Sequence, residues 1–349
     1  MLGTRSVTVS VERGLTLPHS ARVLWEQHRD ALAVVLLSVS GLWALNWWIA
    51  PGIAGPMDGW WTGAFLVELT PLVIVPVFVW QRLVRHASWY EITHGGPGTP
   101  IRLAGLVATL LLTRAVVISA VAWKAALPVL HPFAFDVTLA RLDHALHGRS
   151  PWRYLAWFTR PEPLRLIDAF YTAWYVSFFI VVVAWGWASP SPRRRRFLTA
   201  MMLTWVVGSL AAILVSSAGP IYYTRVTGLH DHYVELLRRL RVVPLEATRL
   251  QTLLWETYVH PNPGFAKGIA AFPSLHVAMP ALYAVSTPPR LRFVRWLWIL
   301  MTLITLVGSI VLAWHYAVDG YAGILLALGC WWIAGRATEG RPLEIREPA

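Results

Sequence analysis

Eight apolar runs, most of them about twenty residues long, alternate along this chain with short segments rich in arginine. That alternation constrains the fold more than any other feature. About twenty apolar residues wound as a helix cross the ~30 Å hydrocarbon core of a bilayer. In hydrocarbon the backbone must satisfy its own polar groups, which helices do. The runs fall at 31–50, 61–80, 103–123, 168–188, 197–217, 273–287, 293–314 and 316–334. Only 14% of the residues are charged, against about a quarter in soluble domains. The expected fold is therefore all-α: a polytopic membrane helical bundle of about eight transmembrane helices.

The net charge of +12 comes almost wholly from arginine. The arginines cluster between apolar runs, which points to topology and anionic lipid, and no basic-aromatic nucleic-acid motif accompanies them. Cys330 is the single cysteine, so no disulfide can form within the chain. Residues 1–30 are polar, lack the apolar core and cleavage site of a signal peptide, and read as a cytoplasmic tail. Two accessory spans follow in 31–100, with Trp47, Trp48, Trp60 and Trp61 placed as interfacial anchors. A six-helix core occupies 101–337 and a second cytoplasmic tail 338–349. Within the core, 124–165 reads as interfacial, with an amphipathic helix near 132–147. Arg193, Arg194, Arg195 and Arg196 read as a stop signal, and 218–272 as a long polar loop. Eight spans place both termini on one side together with the short arginine-rich segments, which makes that side the cytoplasm.

Ionisable residues at membrane depth are costly and call for a reason. Glu68 and Arg114 lie inside predicted spans and are expected to pair between helices. Two further groups carry chemistry. Pro273, Ser274, Leu275 and His276 open one apolar run, and His315 and Asp319 open another. Four residues apart on a helix, His315 and Asp319 share a face. A carboxylate beside an imidazole fixes its tautomer and stabilises the cation formed when the other nitrogen attacks. His276 can then protonate a leaving oxygen. Ser274 and the free N–H groups of the first turn make an anion site. The run at 273–287 spans only about 22 Å, so its start is recessed. All of these residues fall on the outer face of the predicted topology.

The Pro-Ser-Leu-His segment and the His315/Asp319 pair resemble the second and third signature motifs of the type 2 phosphatidic acid phosphatase superfamily. They are closest to its inositolphosphotransferase-like branch, which includes fungal inositol phosphorylceramide synthase. The segment 217–223 (Ser-Ala-Gly-Pro-Ile-Tyr-Tyr), Asp143 with His144 and His147, and Asp168 with Tyr171 also look like that branch. The resemblance covers roughly residues 100–335. It implies a six-helix phosphatase-type core and a metal- and cofactor-independent enzyme acting on a membrane lipid phosphate. In it His315 is the nucleophile, Asp319 its orienting carboxylate and His276 the acid/base. The arginine that the wider superfamily carries six residues before the nucleophile is Ser309 here, and the lysine and Arg-Pro pair of the first motif is not legible. Candidates for holding the phosphate are therefore Ser274, Lys267 and Arg225. Tyr222 is a further substrate-side candidate whose other role is interfacial packing. By analogy with a protease triad, Asp319→Asn is expected to mis-set the tautomer and cost up to ~10⁴ in rate. Two other readings stay open: a polyprenyl-diphosphate phosphatase, and a transporter or proton-coupled channel using Glu68, Arg114 and His276.

Overall fold

Long apolar runs become helices because only there does each backbone donor find its acceptor without water. The computed structural model describes residues 19–48, 99–229, 233–260 and 268–339, and among them there is no strand. Eleven α-helices are described: α1 (His19–Trp48), α2 (Thr99–Leu130), α3 (Asp136–His147), α4 (Pro161–Trp187), α5 (Pro192–Leu214), α6 (Tyr223–Thr227), α7 (Val234–Arg241), α8 (Glu246–Val259), α9 (Leu275–Ser286), α10 (Arg292–Val311) and α11 (Ala317–Glu339). Helices α2, α4, α5, α10 and α11 are long and apolar enough to cross a membrane. Helix α9 is apolar but only 12 residues long, about 18 Å. With the other five it makes the six-helix core. The predicted span at 61–80, with Glu68, Trp60 and Trp61, lies outside the described residues, as does one partner of the expected Glu68–Arg114 pair.

The short helix is the centre of the bundle. Helix α9 packs against α10, α11 and α5, and all its residues except His276 and Val285 are buried. Its own Leu282 and Tyr283, with Phe178, Phe197, Met201 and Met202 around them, form the main apolar core. A second core, with Leu164, Leu236, Leu240, Val311, Leu312 and Tyr316, fills the end where α9 and α11 start.

Three sequence-based expectations change. The helix in the first apolar run starts at His19, inside the expected polar tail, and Val23, Gln27 and His28 are already buried. The four arginines are not a break between spans but the first turns of α5, with Arg194 and Arg195 only 2% and 1% exposed. For Arg193 and Arg194 the physical reason is the set of carbonyl groups left unpaired where α9 and α4 end. Arg193 donates to the Ser286 and Thr287 carbonyls at the end of α9. Arg194 donates to Trp185 and Gly186 near the end of α4, and Arg196 to Trp331 in α11. Arg195 pairs with Asp30 of α1. Finally, the described residues of the segment at 218–272 are largely helical. Its amphipathic α7 turns Leu236 and Leu240 inward and Arg238 and Arg241 outward.

Candidate active site

The two histidine segments come together at one end of the bundle. His315 follows Ala313, a buried non-glycine residue held at φ +58°, a conformation that costs about 1 kcal/mol or more. The turn closes with His315 N–H and Trp314 N–H both donating to the Ser309 carbonyl. His315 is 7% exposed and Asp319 fully buried. The carboxylate does lie beside the imidazole, with Oδ2 3.5 Å from Nδ1, yet it is not the nearest acceptor. The Ala271 carbonyl is, at 2.7 Å from Nδ1. A carbonyl only accepts, so Nδ1 carries the proton and Nε2 keeps its lone pair. Asp319 Oδ2 instead accepts from the Tyr316 N–H at 3.0 Å, and its Oδ1 has no partner among the described residues.

This arrangement changes the expectation for Asp319→Asn. The Ala271 carbonyl holds the tautomer in either case. What is lost is the stabilisation of a charged imidazole, about 1.5–3 kcal/mol, or roughly 10- to 150-fold in rate. Steady-state kinetics of the purified variant measure this. A loss near 10⁴ would return the orienting role to the carboxylate.

His276 lies opposite, with ring centroids 6.4 Å apart. It is wedged among α4 aromatics: Tyr171 stacked at 4.9 Å, Trp174 at 4.4 Å, and Tyr175 edge-on at 5.9 Å. Its Nε2 has no protein partner among the described residues. Ser274, fully buried, precedes α9. Its N–H donates to the Asp319 carbonyl at 2.9 Å, which ties the two segments together. Its hydroxyl does not cap the helix and is likewise unpartnered. The first-turn N–H groups of α9 have no intrahelical acceptor, so they and the Ser274 hydroxyl can meet an anion.

A glycine makes this approach possible. A Cβ on Gly323 of α11 would sit 2.3 Å from the Ser274 carbonyl oxygen and 3.4 Å from the Ala278 nitrogen. Gly323→Ala is expected to push α9 away from α11. The cost is about 1–3 kcal/mol of stability for overpacking and on the order of 10²-fold in rate for misplacing the two histidines. A melting curve in detergent and kcat check the two effects. Wild-type values for both would show that the helices tolerate separation.

The sequence-based candidates for holding phosphate fare unevenly. Lys267 lies outside the described residues. Arg225 is exposed, with its guanidinium 4.9 Å over the Trp255 ring. Tyr222 is 2% exposed and stacks on the same indole at 5.2 Å. Its hydroxyl donates to the Gln251 carbonyl at 2.7 Å, which supports the packing role. Burial raises the Tyr222 phenol above its usual range, with Arg225 pulling it back. The cation that sequence reasoning missed is Lys124, near the end of α2. It is close enough to act electrostatically on His276, and its backbone and Cβ lie against Gly268, where an added Cβ would meet the Lys124 Cβ at 2.5 Å and its carbonyl carbon at 2.7 Å. The available signal was its rarity: Lys124 is one of two lysines in the chain and directly follows an apolar run. Ser309 is buried and donates to the Leu306 carbonyl.

The aspartates of the remaining motifs hold backbone. Asp143 accepts from the first two N–H groups of α11, Ala317 at 2.8 Å and Val318 at 3.0 Å. Asp168 does the same for α8 through Glu246 and Ala247. Asp136, not singled out in the sequence, accepts from Ala218 N–H, Gly219 N–H and the Tyr316 hydroxyl, each at 2.8 Å. Burial pushes the Asp136 and Asp143 carboxyls above the ordinary range, and the backbone N–H bonds pull them back. Ser217 receives Phe272 N–H on its hydroxyl and Ala271 N–H on its carbonyl. The 217–223 segment thereby fixes the residue whose carbonyl holds His315. Gly219 has φ +94°, and an added Cβ would lie 2.4 Å from the Trp314 carbonyl oxygen.

No curated protein and no solved structure is found to match the chain. A family model described as PAP2 superfamily does match, over residues 137–333. That match takes in more than half of the chain, including α9, both histidines and Asp319, and the chain belongs to the PAP2 superfamily.

Proposed function

We propose that this PAP2-superfamily membrane protein transfers the phosphoryl group of a lipid phosphate ester through a phosphohistidine on His315, as a lipid phosphatase or head-group phosphotransferase of the inositolphosphotransferase-like branch. The observation that carries the reading is the His315 imidazole. Its Nδ1 is bonded to the Ala271 carbonyl, and its Nε2 lone pair, across from His276, meets no hydrogen-bond partner among the described residues. In the first step Nε2 attacks phosphorus and the phosphorus–oxygen bond to the lipid breaks. His276 gives its proton to the leaving oxygen. In the second step His276 takes a proton from water or an alcohol, whose oxygen attacks phosphorus, and the phosphorus–nitrogen bond breaks. Asp319 stabilises the charged imidazole between the steps. Ser274, the α9 N-terminus and Lys124 meet the charge on the phosphoryl oxygens.

The arginine-capped end of the bundle faces the cytoplasm in this reading, which places the site at the outer leaflet. The test is to incubate purified protein with phosphorus-labelled phospholipids and prenyl diphosphates, with and without inositol as acceptor, and quench rapidly. An acid-labile, alkali-stable label on wild-type protein, absent from His315→Ala, is expected. Turnover of any of these lipids without a trapped label under fast quench overturns the covalent route.

A further inference from the structure

We propose that Tyr171 and Trp174 of α4 complete the phosphate cradle. The Tyr171 hydroxyl and the Trp174 indole N–H would donate to the phosphoryl oxygens held between His276 and His315. This rests on the phosphohistidine reading above and adds two contacting residues to it.

Both rings touch His276, at 4.9 Å and 4.4 Å between centroids, so their polar atoms start beside the acid/base. Both side chains are more than nine-tenths buried, at 7% and 4% exposure. Yet neither the Tyr171 hydroxyl nor the Trp174 Nε1 has a partner among the described residues. Leaving a buried donor unmatched costs about 1–3 kcal/mol. Phenylalanine would pack on His276 equally well without that cost, so these positions carry donors for something that accepts. They are three apart on one helix and share a face.

Direction supports the assignment. Helical side chains lean toward their own N-terminus, and α4 begins at the site end of the bundle. Tyr171 lies there against Gly308 of α10, whose added Cβ would meet the Tyr171 ring at 3.1 Å, seven residues before His315. The charge balance supports it too. A phosphodiester brings one negative charge and a phosphomonoester up to two, and the superfamily's arginine position is Ser309. Neutral donors fixed in a dry site stabilise developing charge strongly. Tyr175 differs: it meets His276 edge-on and is 46% exposed.

The variants Tyr171→Phe and Trp174→Phe remove the donors and keep the aromatic packing. With the full chain purified in detergent, orthovanadate affinity is read by calorimetry, and kcat and its pH profile on the best-turned-over lipid of the panel. Each variant is expected to lose about 10²-fold in kcat and ~10-fold in orthovanadate affinity, with the pH profile unmoved because His276 stays stacked. Values within twofold of wild type for both variants and for their double overturn the proposal and assign the two donors to buried water. A shifted pH profile in place of a rate loss also overturns it, since that outcome makes the rings supports for His276 alone. His315→Ala separates the two levels. If it is inactive while both Phe variants match wild type, only the cradle fails; if it remains active, the phosphohistidine reading fails with it.

Discussion

His315→Ala is expected to abolish turnover on every lipid the wild-type protein accepts, a loss on the order of 10⁴-fold or more, as for deletion of other covalent nucleophiles. Stability should hardly change. The side chain makes one described hydrogen bond, to the Ala271 carbonyl, worth about 1 kcal/mol net. The Asp319 carboxylate left behind keeps its bond from the Tyr316 N–H. Yield, detergent elution profile and melting temperature should therefore stay close to wild type while activity vanishes. Residual activity within tenfold of wild type would remove His315 from the chemistry, whatever its geometry.

His276→Ala should cost about 10²–10⁴-fold, the usual contribution of a positioned acid/base, and the loss should depend on the substrate. An alkyl leaving group needs a proton as it departs, whereas a nitrophenolate does not. Phosphorylation of His315 by a nitrophenyl phosphate ester should consequently survive in the variant. Hydrolysis of the phosphoenzyme still needs a base to activate water, so labelled protein should accumulate as a burst. Equal losses for both leaving groups, with no burst, would contradict the acid/base role. Because His276 lies between Tyr171, Trp174 and Tyr175, the alanine also leaves a gap. His276→Gln fills more of that volume and serves as the control for packing.

The parts of the site legible in the sequence were those that break a rule locally. Histidine and aspartate at the start of apolar runs stand out against hydrocarbon, as His276, His315 and Asp319 do. A run too short to cross a bilayer marks an unusual helix, and α9, 12 residues long at the middle of the bundle, is that helix. The parts that were not legible depend on contacts between residues distant in the chain. Ala271 carries no polar side chain, so no pattern distinguishes it, yet its carbonyl fixes the His315 imidazole. The four arginines read as a topological marker because their acceptors, the carbonyl ends of α4 and α9, the Trp331 carbonyl of α11 and the Asp30 carboxylate of α1, meet them only once those helices are packed side by side. In the sequence Asp143 and Asp168 stand only as motif residues with no function attached. Each is now seen to hold two successive N–H groups of a helix that begins far along the chain.

By itself the sequence determined the class of the molecule, an all-helical membrane bundle, and the residue types able to do phosphoryl chemistry. Both follow from one-dimensional quantities: length of apolar runs, spacing of charges, position relative to helix starts. Only the tertiary structure decided which acceptor sets the histidine tautomer, which lysine comes near the second histidine, and which aromatics enclose it. Those outcomes turn on distances of a few ångströms between helices. The close approach of α11 to α9 at Gly323 and the carboxylate anchors of the connecting segments set those distances.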